Sequence, residues 1–230
     1  MKFARKTNVA MLMLWSFLLG SAGLRAQNPV ADYMDKAGSF SRLYSGQIVS
    51  RYSPAIYQGT PYYGGDNYVK GTIVFNGIVY PDINIILDLH KQQALTVNSA
   101  NYIVVIPHEK IQKVCIGGKT FLWIAPGEGS GLKNEGFYIS YFDGQNVGLL
   151  CEERFSIPDP KATPVVFERK VRYYLKVEGK YHLVRGKGDF MSLFPMHKKQ
   201  ISKYAKDNRL DFKTDKAQSM TSLAAYCNKL

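Results

Sequence analysis

Turn-forming dipeptides recur between β-prone segments, and this recurrence limits the folds open to the 230-residue chain more than any other feature. Asn76-Gly77, Gly117-Gly118 and Asp143-Gly144 are typical of two-residue hairpin turns, because their backbones tolerate positive φ angles. Each pair is flanked by runs rich in Val, Ile, Phe and Tyr. Since a turn this short joins neighbouring antiparallel strands, the pattern predicts an antiparallel meander.

Segments with strand character follow one another between residues 69 and 185, and they define one predicted antiparallel β domain. They are Val69–Phe75, Ile78–Leu87, Ala94–Val97, Tyr102–Ile106, Ile111–Ile116, Thr120–Ile124, Gly136–Phe142, Val147–Phe155, Val165–Val177 and Tyr181–Val184. In Val165–Val177 apolar and polar residues alternate, which is typical of a half-buried strand. About ten twisted strands do not stay flat. The predicted fold is therefore mainly β, with the meander curled into a barrel, half-barrel or sandwich.

Residues 186–230 have a helical pattern and are predicted to form a small C-terminal element. Asp189 is a good N-cap for a short first turn, and Pro195 can begin the next helix. A last helix is expected after Thr214 or Asp215. Its inner stripe would consist of Ala217, Met220, Ala224 and Cys227, with Leu223 beside them. Because short helices are marginally stable alone, these are expected to pack against the sheet.

Residues 1–26 have the order of a cleavable signal peptide. Three cations precede an apolar run over residues 9–19, and small residues follow. The predicted cleavage lies between Ala26 and Gln27. The apolar run is short for a membrane span, so an uncleaved anchor is the alternative. No cysteine sits at the cleavage point, which disfavours a lipoprotein, and no later segment is apolar enough to span a bilayer.

The predicted leader implies a periplasmic or secreted mature protein. It holds four cations and no acid, so its removal lowers the formal net charge from +12 to +8. A basic surface favours anionic partners such as lipid headgroups or acidic glycans, whereas nucleic acid is not an expected partner of an exported protein. Seven of the cations lie between Pro195 and Lys216, against three aspartates. A basic face that is only solvated is the alternative interpretation.

Residues 27–68 combine a lead-in with a segment dense in tyrosine and glycine. Six of the sixteen tyrosines fall between residues 44 and 68, where glycine and proline favour irregular extended structure. Tyrosine offers a flat contact surface with a hydrogen-bonding tip, so this segment is the candidate ligand-binding region. The candidate ligand contacts are Tyr57, Tyr62, Tyr63 and Tyr68. In the alternative interpretation, the tyrosines cover the end of the sheet and complete the core.

The chain has three cysteines, and none of them belongs to a CxxC motif. Cys115 and Cys151 both fall in predicted strands, and an oxidising compartment would permit a disulfide between them. Because a free thiol behaves as a small apolar group, three buried free cysteines are the alternative.

No catalytic or metal-binding motif is complete in the sequence. The four histidines lack the spacing of metal ligands, and the 126–131 loop does not match a phosphate-binding loop. No catalytic residue, metal or cofactor is therefore predicted. A hydrolase would need two carboxyl groups facing each other across a cleft, and Glu152 and Glu153 point to opposite faces of one strand. The acids considered for this chemistry are Asp82, Asp88, Glu128, Glu135, Glu152 and Glu153.

Several stretches resemble exported β-rich proteins of Bacteroidota that have no assigned activity. These stretches are Gly59–Tyr62, Lys70–Ile83, Leu87–Leu89 and Leu193–Lys199, together with the Ala26-Gln27 cleavage site. The resemblance implies an envelope location and carries no catalytic residue.

These features predict an exported, non-enzymatic binding protein of the cell envelope. Its ligand is expected to be a small molecule, a lipid, a glycan or an envelope protein. The ligand would sit in the concavity of the sheet or under the 44–68 segment. A glycan or peptide hydrolase is one alternative, and a structural scaffold in an envelope assembly is another.

Overall fold

The computed structural model describes residues 42–230. The predicted signal peptide, its Ala26–Gln27 cleavage site and residues 27–41 lie outside the described residues. No helix between residues 42 and 230 has both the length and the apolar character needed to cross a membrane.

The described residues contain twelve strands. They are β1 (Tyr57–Gln58), β2 (Val69–Phe75), β3 (Ile78–Asp88), β4 (Gln93–Val97), β5 (Ile103–Ile106), β6 (Ile111–Ile116), β7 (Lys119–Ile124), β8 (Gly136–Asp143), β9 (Val147–Ser156), β10 (Val165–Val166), β11 (Glu168–Val177) and β12 (Lys180–Val184). Ten form one antiparallel sheet in the order β5-β4-β3-β2-β6-β7-β8-β9-β11-β12, and β1 and β10 form a separate parallel pair. The mainly β prediction is confirmed, and the sheet does not close into a barrel.

Local turn chemistry forms three of the hairpins. Asn76-Gly77 joins β2 to β3 with φ angles of 52° and 78°, and Gly117-Gly118 joins β6 to β7 with 54° and 69°. Glu178-Gly179 joins β11 to β12 with 51° and 81°. Positive φ at both central positions gives a turn whose twist matches that of the flanking strands.

The predicted two-residue turn at Asp143-Gly144 is wrong, because β8 continues through Asp143 and the turn consists of residues 144–146. The side chain of Asn228 supports this longer turn. Its Oδ1 accepts hydrogen bonds from two successive backbone N–H groups at the start of β9, at 2.8 and 3.0 Å. The supporting residue lies 82 positions away along the chain, so the local sequence gave no sign of it.

A β-bulge bends β3. Pro81 and Asp82 together face the single residue Thr72 of β2, and Asp82 has a φ angle of 57°. The strand continues through Asp82 and ends at Asp88. A bulge of this kind bends the strand and increases its local twist, which helps the sheet to curl.

The turn that follows β3, residues 88–92, holds the two halves of the curled sheet together, and we call it the closing turn. Phe155 N of β9 donates to Leu89 O at 3.1 Å. Gln92 Oε1 accepts a hydrogen bond from Phe137 N of β8 at 2.8 Å, and Gln92 Nε2 donates to Leu89 O at 2.8 Å. The closing turn thereby links β3 to β8 and β9, which are not its neighbours in the sheet.

A continuous row of buried side chains crosses the inner face of the sheet. Direct cross-strand partners connect seven strands in this row, and each side chain is at most 7% exposed. The row consists of Ile73, Val114, Phe121, Ile139, Cys151, Tyr173 and Val184. Full burial of one large apolar side chain contributes about 1.5–3 kcal/mol, so this row is a main part of the core.

The outer face carries a second, smaller core. Leu132, from the loop between β7 and β8, packs over Tyr138, Leu150 and Tyr174. The alternating pattern of β11 predicted that the face containing Tyr174 would be mostly polar. Tyr174 is only 2% exposed, because the loop covers it.

The loop between β7 and β8 reaches this position by a close backbone approach to β12. Ser130 O accepts a hydrogen bond from the backbone N–H of Tyr181 at 2.8 Å. Gly131 has a φ angle of 87°, and a β-carbon there would lie 1.9 Å from Tyr181 O. Only glycine fits this position, and the hydrogen bond from Tyr181 to Ser130 holds the loop on β12.

Three helices follow the sheet. They are α1 (Lys187–Leu193), α2 (Lys198–Asp207) and α3 (Lys216–Cys227). Pro195 begins a 3₁₀ turn ahead of α2, and Asp215 occupies the N-cap position of α3. The buried side of α3 packs on β8 and β9. Asp189 does not cap α1, because the helix begins two residues earlier and the carboxylate accepts a hydrogen bond from Arg185 N at 2.6 Å.

The structure does not form the disulfide considered between Cys115 and Cys151, and all three cysteines are free. Cys115 faces Thr120, which faces Ser140, which in turn faces Leu150. Cys151 therefore follows the residue aligned with Cys115, and successive residues of a strand point to opposite faces. Two strands also separate the cysteines, a distance of about 14 Å, whereas a disulfide needs Cα atoms within about 7 Å.

We expect three free thiols per chain, because the sheet keeps the cysteines apart. Titration with Ellman's reagent in denaturant, on protein purified without reductant, measures this number directly. In the native protein reaction should be slow at Cys151 and Cys227, since burial raises the pKa of each thiol to about 12. One reactive thiol per denatured chain would show that a disulfide forms.

Candidate functional site

A cavity of about 490 Å³ opens in the tyrosine-rich segment, and we call it the tyrosine cavity. It is lined by Arg51, Tyr52, Pro54, Tyr57, Gly59, Thr60, Tyr62 and Asp66. All of its lining residues come from the 44–68 segment in which the sequence predicted ligand contacts.

Backbone hydrogen bonds hold the tyrosine-rich segment to the sheet. Val49 N donates to Ile103 O at 3.0 Å, and Val105 N donates to Gln47 O at 2.9 Å, so the segment lies along the outer side of β5. Further along, β1 pairs with β10 in parallel, with Tyr57 opposite Val165. The tyrosine-rich segment is therefore held at two separate points, by hydrogen bonds to β5 of the large sheet and by pairing with β10.

Asp88 lies beneath the cavity and is 2% exposed. Its Oδ1 accepts hydrogen bonds from the backbone N of His90 and Lys91 at 2.9 and 2.8 Å, and its Oδ2 accepts one from Tyr52 OH at 3.0 Å. Burial and the negative charge of Asp88 raise the pKa of Tyr52 well above its ordinary value. Tyr52 therefore stays protonated and serves as a hydrogen-bond donor.

Aromatic rings surround Tyr52. The rings of Tyr57 and Phe167 are each 5.1 Å from it in T-shaped contacts, and the ring of Tyr62 is 5.7 Å away. Tyr57 also stacks on Phe167, with a centroid distance of 5.4 Å and an interplanar angle of 15°. His90 is placed beside Phe167 by a hydrogen bond from its Nδ1 to the backbone carbonyl of Phe155 at 3.0 Å.

Two of the four tyrosines predicted as ligand contacts line the cavity. Tyr57 is half-buried, and its hydroxyl makes no hydrogen bond among the described residues. Tyr62 is only 5% exposed and packs with Ile86 and Leu95 in a core cluster. Tyr57 thus offers surface to a ligand, whereas Tyr62 completes the core.

The other two predicted tyrosines do not line the cavity. The ring of Tyr63 packs on Phe121 of the inner row at 4.8 Å. The ring of Tyr68 lies 4.9 Å from the guanidinium carbon of Arg51 and packs against the Tyr62 cluster. These two positions fit the alternative in which tyrosines cover the sheet.

Sequence reasoning did not single out Arg51, Tyr52, Asp66 or Phe167. Arg51 donates from Nη1 to the backbone carbonyl of Asp66, which closes one side of the cavity. Phe167 comes from the chain between β10 and β11, so it meets Tyr52 only in the folded protein. Tyr52 did belong to the counted tyrosines, but nothing in its local sequence distinguished it from the others.

Glu152 is 1% exposed on the outer face and accepts four hydrogen bonds. Its Oε1 accepts from Asn134 Nδ2 and Arg154 Nε, both at 2.8 Å. Its Oε2 accepts from Tyr174 OH at 3.2 Å and Arg172 Nη1 at 3.3 Å. Burial alone would raise the pKa of Glu152, but these hydrogen bonds and the charge of Arg154 hold the pKa below its ordinary value. An ionised carboxylate here anchors the covering loop.

Glu153 lies on the inner face, so the two neighbouring acids point to opposite faces, as the sequence predicted. It accepts a hydrogen bond from Arg169 Nε at 2.5 Å. Between residues 42 and 230, no three His, Cys, Asp or Glu side chains are grouped closely enough to hold a metal ion. The two most deeply buried glutamates therefore serve ion pairs within the sheet.

The lowered pKa of Glu152 makes a pH-dependent prediction. Its ionised form contributes stability that is complete above the ordinary pKa of 4.5 and is lost as the pH falls through the lower folded-state pKa. We expect Glu152→Gln to lower the free energy of unfolding at neutral pH by about 1.5–3 kcal/mol and to weaken its dependence on acid pH. Urea unfolding followed by circular dichroism at neutral and acid pH measures both effects.

The matched control is Glu128→Gln, since Glu128 is exposed in the same loop. This variant should unfold like the unsubstituted protein at every pH. If the free energy of unfolding of Glu152→Gln depends on acid pH as it does in the unsubstituted protein, ionised Glu152 is not a source of that dependence.

No protein-family model, no curated protein and no solved structure matches this chain. The resemblance to exported β-rich proteins of Bacteroidota therefore stays a hypothesis.

Proposed function

We propose that this chain is an exported binding protein whose tyrosine cavity takes a sugar-containing ligand. The observation that carries the proposal is the half-buried ring of Tyr57 in a cavity of about 490 Å³. A sugar ring has an apolar face that can stack on an aromatic ring, and hydroxyl groups that bind polar groups around it. Arg51 and Asp66 supply polar groups of both signs at the cavity wall.

The volume and the fixed walls of the cavity also support this proposal. Small-molecule sites have volumes of about 300–1,000 Å³ and are usually formed before the ligand arrives. The β1–β10 pair and the hydrogen bond from Tyr52 to Asp88 hold the walls without a ligand. A preformed cavity avoids most of the entropic loss of ordering a loop on binding.

Export is the second part of the proposal, and it rests on the sequence of residues 1–26. We expect the mature protein to begin at Gln27, because the small residue Ala26 precedes it after a short apolar run. Intact-mass spectrometry of protein recovered from the envelope of its own cell measures the N-terminus. A chain that retains residues 1–26 would indicate an uncleaved anchor and contradict the cleavage site.

Replacing Tyr57 tests the sugar site. We expect Tyr57→Ala to weaken binding of an envelope oligosaccharide by about tenfold or more, because the stacking surface is lost. Tyr57→Phe keeps the ring and should retain most of the affinity. Isothermal titration calorimetry against a panel of soluble envelope glycan fragments gives the affinities.

Tyr102→Ala is the control, since Tyr102 is 55% exposed between β4 and β5 and makes no ring contact among the described residues. It should bind like the unsubstituted protein. Failure of every glycan to bind, or an equal loss in Tyr57→Ala and Tyr102→Ala, would overturn the sugar site. Shortening of a glycan during the titration would indicate that the protein is a glycan hydrolase instead.

Native mass spectrometry of protein purified from its own envelope supplies an independent check. An excess mass of a few hundred daltons that disappears in Tyr57→Ala would support a bound small molecule in the cavity. Recovery of the chain in a stoichiometric complex with another envelope protein, without a bound small molecule, would favour the scaffold alternative.

A further inference from the structure

A second cavity, of about 630 Å³, lies among the C-terminal helices, far along the chain from the tyrosine-rich segment. We call it the cationic cleft. It is lined by Lys187, Ala205, Lys206, Arg209, Leu210, Asp211, Phe212 and Lys213. Four of these eight residues are cations and one is an acid.

The carboxylate of Asp211, the single acid of the cleft, accepts hydrogen bonds from the residues that follow it in the same turn. Asp211 Oδ1 accepts hydrogen bonds from Lys213 N at 2.7 Å and Thr214 N at 3.1 Å, and Oδ2 accepts one from the hydroxyl of Thr214. The hydrogen bonds from Thr214 and Lys213 lower the pKa of Asp211. The carboxylate is therefore ionised and fixed in this turn at neutral pH.

None of the four cations of the cleft has a carboxylate within ion-pairing distance in the described part of the chain. The ion pairs found between residues 42 and 230 involve other side chains. Four cations against one carboxylate give this concave surface a formal net charge of +3 (4 minus 1), which favours an anion over a cation. The charge of the cleft is therefore matched to an anionic ligand.

Arg209 occupies a backbone position at which glycine would be more stable than arginine. Helix α2 ends in a motif in which Leu210 N donates to Ala205 O and Arg209 N donates to Lys206 O, both at 3.0 Å. The residue after the helix cap then adopts a left-handed conformation, and it is usually glycine. Arg209 has a φ angle of 51° there, which is unfavourable for a residue with a β-carbon. A strained residue of this kind is common at functional sites.

We propose that the cationic cleft binds a phosphate-bearing ligand. Arginine and lysine form strong charge-assisted hydrogen bonds to phosphate oxygens, and the planar guanidinium of Arg209 can make two at once. Leu210 and Phe212 add half-buried apolar surface to the same wall. The shared chemistry is a phosphate group, and its source is either a free phosphate or the headgroup of a lipid.

The test uses the unsubstituted mature protein and the variant Arg209→Gly. The variant removes one cation and relieves the left-handed strain, so we expect its melting temperature to rise by about 2–4 °C. We also expect its affinity for phosphate probes to fall about tenfold. A gain of stability with a loss of binding separates a ligand contact from a structural residue.

Lys203→Ala is the matched control, because Lys203 is an exposed cation of α2 that does not line the cleft. The probes are inorganic phosphate and a water-soluble short-chain phosphatidic acid, with the matching phosphatidylcholine as a zwitterionic control. Affinities are measured by calorimetry at two salt concentrations, since binding to a cationic cleft should weaken as salt screens the charges.

The outcomes distinguish the sources of the phosphate. Binding of phosphatidic acid and of inorganic phosphate with similar affinity, reduced in Arg209→Gly and kept in Lys203→Ala, supports a free phosphate ligand. Much tighter binding of phosphatidic acid, with the same pattern in the variants, supports a lipid headgroup. Absence of saturable binding, or an equal loss in both variants, overturns the proposal.

Discussion

The buried carboxylate of Asp88 is the interaction on which the rest of the structure depends. It has no cationic partner among the described residues and binds instead two backbone N–H groups of the closing turn and the hydroxyl of Tyr52. The first two bonds fix the turn that links β3 to β8 and β9. The third fixes the floor of the tyrosine cavity. A buried carboxylate is costly unless its hydrogen bonds are made, so loss of any one of these three bonds should weaken the others. The curl of the sheet and the shape of the cavity are therefore coupled through Asp88.

The sheet uses both of its faces, and β9 shows how. Three successive residues of this strand alternate between the two faces: Cys151 belongs to the inner row, Glu152 to the network under the outer loop, and Glu153 to an ion pair on the inner side. A strand covered on both faces does not have the simple alternation of a half-exposed strand. The same holds for β11. Its alternation predicts a strand, but the loop that buries Tyr174 is distant in sequence and leaves no trace in the pattern.

The sequence was informative where structure is decided locally. Turn dipeptides and alternation placed most strands to within one or two residues, and the composition after Gly186 gave the helices, because these features depend on neighbours in the chain. The curl, the support of the β8–β9 turn by Asn228 and the meeting of Tyr52 with Phe167 depend on distant residues. Cys115 and Cys151 show the same limit, since their faces follow from a register across four strands. The candidate site was therefore predicted only as a region, and of its four named tyrosines Tyr57 is the one that the structure leaves half-buried at the cavity wall.

The backbone attachments described at β5 and β12 have a consequence for association between copies of the chain. An open sheet has two edge strands whose unpaired N–H and C=O groups can template pairing with another molecule. Here residues 47–49 cover part of one edge through hydrogen bonds to β5, and Ser130 occupies part of the other on β12. The chain thus covers part of each edge of an unclosed ten-stranded sheet with its own loops, which leaves fewer unpaired backbone groups for edge-to-edge pairing between copies.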